Sequence, residues 1–120
     1  KDNRAPPPKA RPLREPKRFP PDAITREVIA LVEGRFRHHF GTLESFALPV
    51  TAGQARELLA DFIAERLPRF GTYQDAMLEG ADFLYHSRLS TSLNCGLLTA
   101  IEVCEAAEAA FRRGEAPLNA

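Results

Sequence analysis

The 120-residue sequence contains no tryptophan, one methionine and two cysteines, Cys95 and Cys104. The separation of nine positions between the cysteines matches neither a Cys-x-x-Cys pair nor a zinc-ligand pattern, so we expect no bound metal. Both cysteines fall on apolar faces of expected helices, which predicts buried free thiols in a reducing compartment. No apolar run is long enough to span a bilayer and no signal peptide is visible, which predicts a soluble cytoplasmic protein.

Motifs of complete active sites are absent as well. The sequence has no Gly-x-Gly-x-x-Gly run, Walker loop, His-Glu-x-x-His helix or nucleophile elbow. The acidic residues are spread along the polar faces of the expected helices. The neighbouring His38 and His39 lack the i, i+4 spacing of helical metal pairs. We therefore assign no catalytic residue and no metal ligand within the chain.

The sequence has no lysine after Lys17, and its net charge of zero conceals an uneven distribution. Residues 1–22 carry a net charge of +4 and seven of the ten prolines, whereas residues 23–120 carry −4. Because proline lacks a backbone donor, we expect residues 1–22 to form an extended, poorly packed basic linker. A basic arm can contact nucleic acid, although such a stretch is more often only a solvated linker. The acidic remainder does not by itself predict a DNA-binding surface.

Residues 23–120 contain three amphipathic segments with the 3.6-residue period of helices and no alternating strand pattern, which predicts an all-α fold. The first long helix is expected from Ala23 to Phe36, with Asp22 or Thr25 as its cap. The second is expected from Ala52 to Leu67, after the Thr51-x-x-Gln54 capping box and before Pro68. The third is expected from Ala100 to Arg113, after the Thr99-x-x-Glu102 capping box and before Gly114. A short helical or turn segment is expected at Thr72 to Leu78, and a short helix at Ser90 to Cys95, followed by Gly96.

The apolar periodicity also predicts which side chains face the core. The expected stripes are Ile24, Val28, Leu31, Val32 and Phe36 on the first helix; Ala55, Leu58, Leu59, Phe62, Ile63 and Leu67 on the second; and Val103, Cys104, Ala107, Ala110 and Phe111 on the third. The charged residues lie on the opposite faces, and Asp61 is expected on the solvent side of the second helix.

Small hydroxyl residues are concentrated in one stretch, just before an expected helix start. This hydroxyl turn contains, in chain order, His86, Ser87, Arg88, Leu89, Ser90, Thr91 and Ser92. Backbone N–H groups and the positive end of a helix dipole at such a place suit a phosphate group. Ordinary N-capping accounts for the same composition, since serine and threonine are the usual caps. Local chemistry leaves both interpretations open.

Four segments at matching spacing carry a family resemblance: Arg18-Phe19-Pro20-Pro21-Asp22-x-Ile24-Thr25, Phe70-Gly71-x-Tyr73-Gln74-Asp75-Ala76-Met77, His86-Ser87-x-Leu89-Ser90-x-x-Leu93-Asn94-x-Gly96-Leu97-Leu98, and Ala116-Pro117-Leu118-Asn119. Together they resemble the cryptochrome/photolyase family, and more narrowly its bacterial iron–sulfur branch, which repairs (6-4) photoproducts. The resemblance runs over nearly the whole chain. One departure is that Thr91-Ser92 stand where the family usually has Pro-Tyr after the Leu-Ser pair.

The resemblance implies that the hydroxyl turn binds the pyrophosphate of FAD. Hydroxyls of Ser87 and Ser90, with backbone N–H groups that include those of Arg88 and Leu89, would donate hydrogen bonds to phosphate oxygens. Tyr73 stands near the position of a flavin-contacting tyrosine, although core packing is an equal alternative. For His86, a capping role is as open as direct contact. The implied cofactor-binding set is Tyr73, His86, Ser87, Arg88, Leu89 and Ser90.

The resemblance further implies that residues 1–22 are the linker between an antenna-binding region and a helical FAD-binding domain that begins at residues 23–120. Because the chain starts with Lys1, we expect a piece of a longer protein. That parent would repair damaged DNA by light-driven electron donation from reduced flavin to a flipped-out pyrimidine lesion. Its antenna chromophore and 4Fe-4S cluster would be bound outside this chain, and Cys95 and Cys104 match none of the cluster ligands.

The chain without tryptophan also lacks the aromatic relay that photoreduces flavin in this family. We therefore expect a fragment that is not catalytically complete by itself. Two other functions are compatible with the same helices. One is a stand-alone helical adaptor, and the other is a small DNA-binding module that uses the basic arm.

Overall fold

The computed structural model describes residues 13–120, and the predicted linker residues 1–12 lie outside the described part. Five helices follow one another along the chain: α1 Ala23–Phe36, α2 Ala52–Glu65, α3 Leu67–Tyr73, α4 Ser90–Asn94 and α5 Ala100–Arg112. The described residues contain no strand, and the bridge between Leu78 and Ala81 is isolated. The all-α prediction is confirmed. None of these helices is long and apolar enough to cross a membrane.

The three long helices begin at the residues that the capping signals predicted. The Asp22 carboxylate accepts a hydrogen bond from the Thr25 N–H at 2.8 Å, and the Thr51 hydroxyl accepts one from the Gln54 N–H at 3.2 Å. At α5 the capping box is reciprocal, since the Thr99 hydroxyl accepts from the Glu102 N–H while the Glu102 carboxylate accepts from the Thr99 N–H. Each cap satisfies a donor that the helix itself cannot pair.

Helix α2 forms the centre of the core, and its predicted stripe is confirmed. Every residue of that stripe is buried: Ala55, Leu58, Leu59, Phe62, Ile63 and Leu67. Around it are packed residues from separate parts of the chain: Phe19, Leu89, Leu98, Ala110 and Ala116. Leu89 belongs to the hydroxyl turn, so the core of the protein anchors that turn directly.

The prediction of one helix up to Leu67, stopped by Pro68, is wrong. Helix α2 ends at Glu65, and Pro68 lies in the first turn of α3. Proline is tolerated there because the first N–H groups of a helix have no intrahelical partner. The short helical or turn segment predicted at Thr72 to Leu78 begins inside α3, which ends at Tyr73, and continues as a turn at Gln74 and Asp75.

The prediction that the stripe of α1 faces the core is also wrong. No residue of α1 is buried, and Ile24 and Val28 are 72% and 51% exposed. Leu31 and Phe36 are half exposed as well. The stripe is present as a pattern on the helix, but the fold leaves most of it exposed.

The predicted burial of the thiols is contradicted, because Cys95 and Cys104 are both exposed. Helix α5 packs on the core through a narrow strip that consists of Val103, Ala106, Ala107 and Ala110. Small alanines let α5 approach closely with that strip, which turns Cys104 and Phe111 outward. Cys95 lies just after the end of α4, beside the turn at Gly96.

Residues 13–22 have no regular secondary structure, but the expectation of poor packing is wrong for this part of the linker. Phe19 is 7% exposed and belongs to the core, and its N–H donates to the Ala47 carbonyl at 3.1 Å. Lys17 pairs with Glu57 of α2 at 2.5 Å, and Arg14 pairs with Asp61 of the same helix. Two basic side chains of the predicted arm thus bind carboxylates of this chain.

Candidate functional site

The hydroxyl turn contains a left-handed residue followed directly by a right-handed one. Arg88 has a φ of +58°, which is uncommon for a residue with a side chain, and Leu89 follows with φ −88° and ψ −11°. Successive N–H groups in such an alternation point to the same side of the backbone and form a small concavity that binds anions. The composition of the turn left phosphate binding and N-capping both open, and it did not predict this backbone geometry.

Residues 13–120 supply no backbone partner to the donors of this concavity. Among residues 13–120, the N–H groups of Ser87, Arg88 and Leu89 make no backbone hydrogen bond. The N-cap of α4 is Leu89, and no side chain caps this helix. N-capping by the serines, which the sequence left open, is therefore not realised. Ser87 is half-buried, and Ser90 is exposed at the first residue of α4.

Arg88 adds a cation to the turn, and this cation packs on an aromatic ring. Its guanidinium carbon lies 4.0 Å from the centre of the Phe83 ring, which is a close cation–π contact. Partial burial lowers the pKa of Arg88 from its ordinary value, the charge of Arg18 lowers it further, and Glu15 raises it. Arginine remains charged at neutral pH in spite of such a shift. The turn therefore combines N–H donors that have no backbone partner among the described residues with one partly desolvated positive charge.

Tyr73 contacts the residue that precedes the turn, and His86 is the first residue of the turn. Tyr73 ends α3, and its ring centre lies 5.2 Å from that of the buried Tyr85, with the rings tilted by 34°. The imidazole of His86 is exposed, while the backbone N–H of this residue donates to the Phe83 carbonyl at 2.9 Å. Leu89 is 3% exposed, so only its backbone can face a ligand. The predicted set is thus gathered on α3, α4 and the loop between them.

Ser92 differs from the other hydroxyl residues of the turn. It is 1% exposed, and its Oγ has no hydrogen-bond partner among the described residues. It stands at the second position of Thr91-Ser92, where the sequence departs from the family pattern. Its own carbonyl accepts hydrogen bonds from the N–H groups of Leu97 and Leu98, which close the end of α4. An unpaired buried hydroxyl costs free energy, and we find no structural role for this one.

Sequence reasoning missed a buried charged pair behind the turn. Arg66 is 2% exposed and Asp61 is 9% exposed, and their side chains lie 3.4 Å apart. The predicted solvent position of Asp61 is therefore wrong. The two residues are five positions apart, outside the i, i+3 and i, i+4 spacings that indicate a pair on one helix. The sequence contains no signal that could have identified them.

Two surface clefts lie away from the turn. One, of about 360 Å³, is formed at the C-terminal end of α1 around Phe36, His39 and Phe40. The other, of about 380 Å³, lies between α2 and α5, and its lining includes four alanines together with Arg56 and Arg113. Within residues 13–120, no three His, Cys, Asp or Glu side chains are grouped as metal ligands would be.

Comparisons with known proteins agree with the resemblance. The described part of the chain is an all-α module, and one of its loops, the hydroxyl turn, brings together hydroxyl groups and backbone N–H donors. A family model described as deoxyribodipyrimidine photo-lyase-related protein matches residues 1–48. A protein of Agrobacterium fabrum (strain C58 / ATCC 33970) named (6-4) photolyase is 51% identical over 122 residues, which cover 99% of this chain and 24% of that protein. The chain is similar to this photolyase over nearly its whole length, and it spans about a quarter of that relative's length.

Proposed function

We propose that this chain is the linker and the first part of the helical FAD-binding domain of a light-dependent DNA-repair flavoprotein. In this proposal, the hydroxyl turn binds the pyrophosphate of FAD. The observation that carries it is the left-handed to right-handed alternation at Arg88 and Leu89, with N–H groups that the described fold leaves without backbone partners. A pyrophosphate is an anion of the size and charge that such a concavity accepts.

The residues of the turn fit this ligand. Ser87 and Ser90 flank the concavity with hydroxyl donors that cap no helix, and Arg88 supplies a positive charge. Leu89 is buried, so it holds the backbone of the turn against the core. Tyr73 lies at the end of α3 and would border the cofactor, while the exposed His86 lies at its outer edge. FAD, when bound and reduced, supplies the electron for the repair reaction.

The remaining parts of the proposed enzyme lie outside this chain. The parent protein would bind damaged DNA and split a pyrimidine photoproduct, in keeping with the name of its Agrobacterium relative. Its 4Fe-4S cluster and its antenna chromophore would be bound by other segments. We assign no catalytic residue to the chain, which supplies one wall of the cofactor site.

The test is the flavin content of the full-length protein after Ser87→Ala and Ser90→Ala substitution. A lost hydrogen bond to a charged group costs roughly 1.5–3 kcal/mol, so each substitution is expected to weaken FAD binding about tenfold to a hundredfold. Flavin absorbance per protein should fall, while the far-ultraviolet circular dichroism stays that of the wild type. The isolated chain is expected to bind FAD weakly or not at all.

Ser45→Ala provides the matched control, because Ser45 is an exposed serine far along the chain from the turn. This variant should keep its full flavin content. If the Ser87→Ala, Ser90→Ala double variant also kept it, the serines would have no role in cofactor binding and the proposal would be wrong.

A further inference from the structure

Arg66 joins three separate parts of the chain behind the hydroxyl turn. It lies between α2 and α3 and is 2% exposed. Its guanidinium donates to the Asp61 carboxylate of α2 at 3.4 Å, to the Arg14 carbonyl of the linker, and to the Leu84 carbonyl at 3.1 Å. Asp61 also pairs with Arg14, so the buried carboxylate lies between two arginines.

The contact with Leu84 reaches the backbone that leads into the hydroxyl turn. Leu84 has a φ of +40°, and the hydrogen bond from the His86 N–H to the Phe83 carbonyl closes a tight turn around it. A leucine adopts a left-handed conformation only where its surroundings hold it. The Arg66 hydrogen bond to the Leu84 carbonyl is such a restraint. It acts three residues before Ser87.

Burial makes this restraint rigid. A buried arginine must satisfy its planar set of donors, and three acceptors from three segments fix its orientation. Burial lowers the pKa of Arg66, and the Asp61 carboxylate raises it again. Among the described residues, the Arg66 side chain makes no hydrogen bond with the hydroxyl turn itself, and its bonded partner nearest to the turn in the chain is the Leu84 carbonyl. It can therefore influence the turn only through the backbone.

We propose that Arg66 is a positioning residue for phosphate binding, which it controls by holding the Leu84 backbone and thereby the Ser87 to Leu89 donors that follow. This inference rests on the proposed function of the hydroxyl turn. Arg66 itself does not contact the ligand. Because the same guanidinium also binds the Arg14 carbonyl, the linker and the cofactor turn share one anchor.

The experiment compares FAD with riboflavin, which lacks phosphate groups, as ligands of the flavin-free full-length protein. Arg66→Lys keeps a positive charge next to Asp61 but cannot reproduce the planar set of three hydrogen bonds. We expect it to weaken FAD binding roughly tenfold, the loss that one hydrogen bond to a charged group accounts for. Riboflavin binding should stay within about twofold of the wild type, because the flavin ring does not use the turn.

Two further variants complete the test. Asp61→Asn keeps the Arg66 guanidinium but removes the carboxylate that pairs with it. This variant should weaken FAD binding more than riboflavin binding, and it tests the inference even if Arg66→Lys fails to fold. Arg56→Lys changes an exposed arginine of the same helix, which pairs with Glu102, and should leave both ligands unaffected. An equal loss of both ligands in the Arg66 and Asp61 variants would mean a merely structural role and would overturn the inference, as would no loss at all.

The same titrations separate this inference from the proposed function. If Ser87→Ala with Ser90→Ala reduces FAD binding and the Arg66 and Asp61 variants do not, only the role of Arg66 is refuted. If the serine variant leaves FAD binding unchanged, the proposed function of the turn itself fails.

Discussion

Arg88 combines a conformational cost with a stabilising contact at a single position. The left-handed backbone costs a residue with a side chain about 1–2 kcal/mol, whereas glycine adopts it without that cost. Against this, the guanidinium packs on the Phe83 ring at 4.0 Å, which stabilises by about 0.5–2 kcal/mol. The two effects are of similar size, so the strain is retained only because the side chain offsets it.

This balance predicts different stabilities for two small substitutions. Arg88→Ala loses the ring contact and keeps the backbone strain, so it should lower the free energy of unfolding by about 1 kcal/mol. Arg88→Gly also loses the contact but relieves the strain, so it should be more stable than the alanine variant by about 0.5–1 kcal/mol. Urea unfolding followed by circular dichroism measures both. Equal stability of the two variants would show that Arg88 is not strained.

At the scale of the elements, the Glu102 carboxylate joins α2 to α5 and also caps the start of α5. The Glu102 side chain accepts hydrogen bonds from the Thr99 N–H at 2.7 Å and from the Arg56 guanidinium at 3.0 and 3.1 Å. The Thr99 N–H, the Thr99 hydroxyl and the Arg56 guanidinium, in that order, lower the pKa of Glu102 below its ordinary value of 4.5. The Asp22 cap of α1 has a pKa lowered in the same way, by the Thr25 N–H first.

The lowered pKa of Glu102 predicts how the start of α5 responds to acid. Ionised Glu102 contributes its full stabilisation above pH 4.5, and this contribution is lost as the pH falls through its lower folded value. Glu102→Gln keeps an acceptor for the Thr99 N–H but cannot titrate, so this variant should lose less stability between pH 5 and pH 3 than the wild type does. Acid titration of the helical signal provides the measurement.

Glu105→Gln is the control for this prediction. Glu105 is exposed on the same helix and makes no side-chain hydrogen bond in the part of the chain that the structure describes. Its substitution should leave the acid response of α5 as it is in the wild type. A Glu102→Gln variant with an unchanged acid response would show that the capping carboxylate is not coupled to folding.

At the scale of the whole molecule, two segments of the family resemblance that are far apart in sequence meet. Gly71 of α3 lies against the backbone of Asn119, so closely that a Cβ atom at Gly71 would overlap the Asn119 carbonyl group. The segment that follows α5 is therefore seated against α3. Ala116 in this segment is 6% exposed and belongs to the core. The close approach explains the need for glycine at position 71.

The same substitution at two glycines should therefore have opposite effects. Gly71→Ala forces the C-terminal segment away from α3, and overpacking of this kind costs about 1–3 kcal/mol of stability. Gly34→Ala meets no atom within 4 Å and lies inside α1, so it should stabilise the helix by about 0.5–1 kcal/mol. Thermal unfolding of the two variants checks both signs. A Gly71→Ala variant with wild-type stability would contradict this packing of the C-terminal segment.

The sequence by itself determined the features that depend on neighbours a few residues apart. The starts of α1, α2 and α5 follow from Asp22, Thr51 and Thr99, because a cap bonds an N–H group only three positions away. The core stripe of α2 follows from its apolar period, because apolar residues three or four positions apart lie on one face of a helix. The hydroxyl turn was identified from composition and from its resemblance to a family. Its role in binding FAD remains a prediction.

Only the tertiary structure decided which apolar and charged groups are covered. The stripe of α1 has the same local pattern as that of α2 and is nevertheless exposed, because periodicity specifies a face of a helix and not what lies opposite. Asp61 and Arg66 are buried together because Arg14 and Leu84, each at least 18 positions from Arg66, supply their remaining partners. Such contacts depend on how distant segments pack, which no local spacing records.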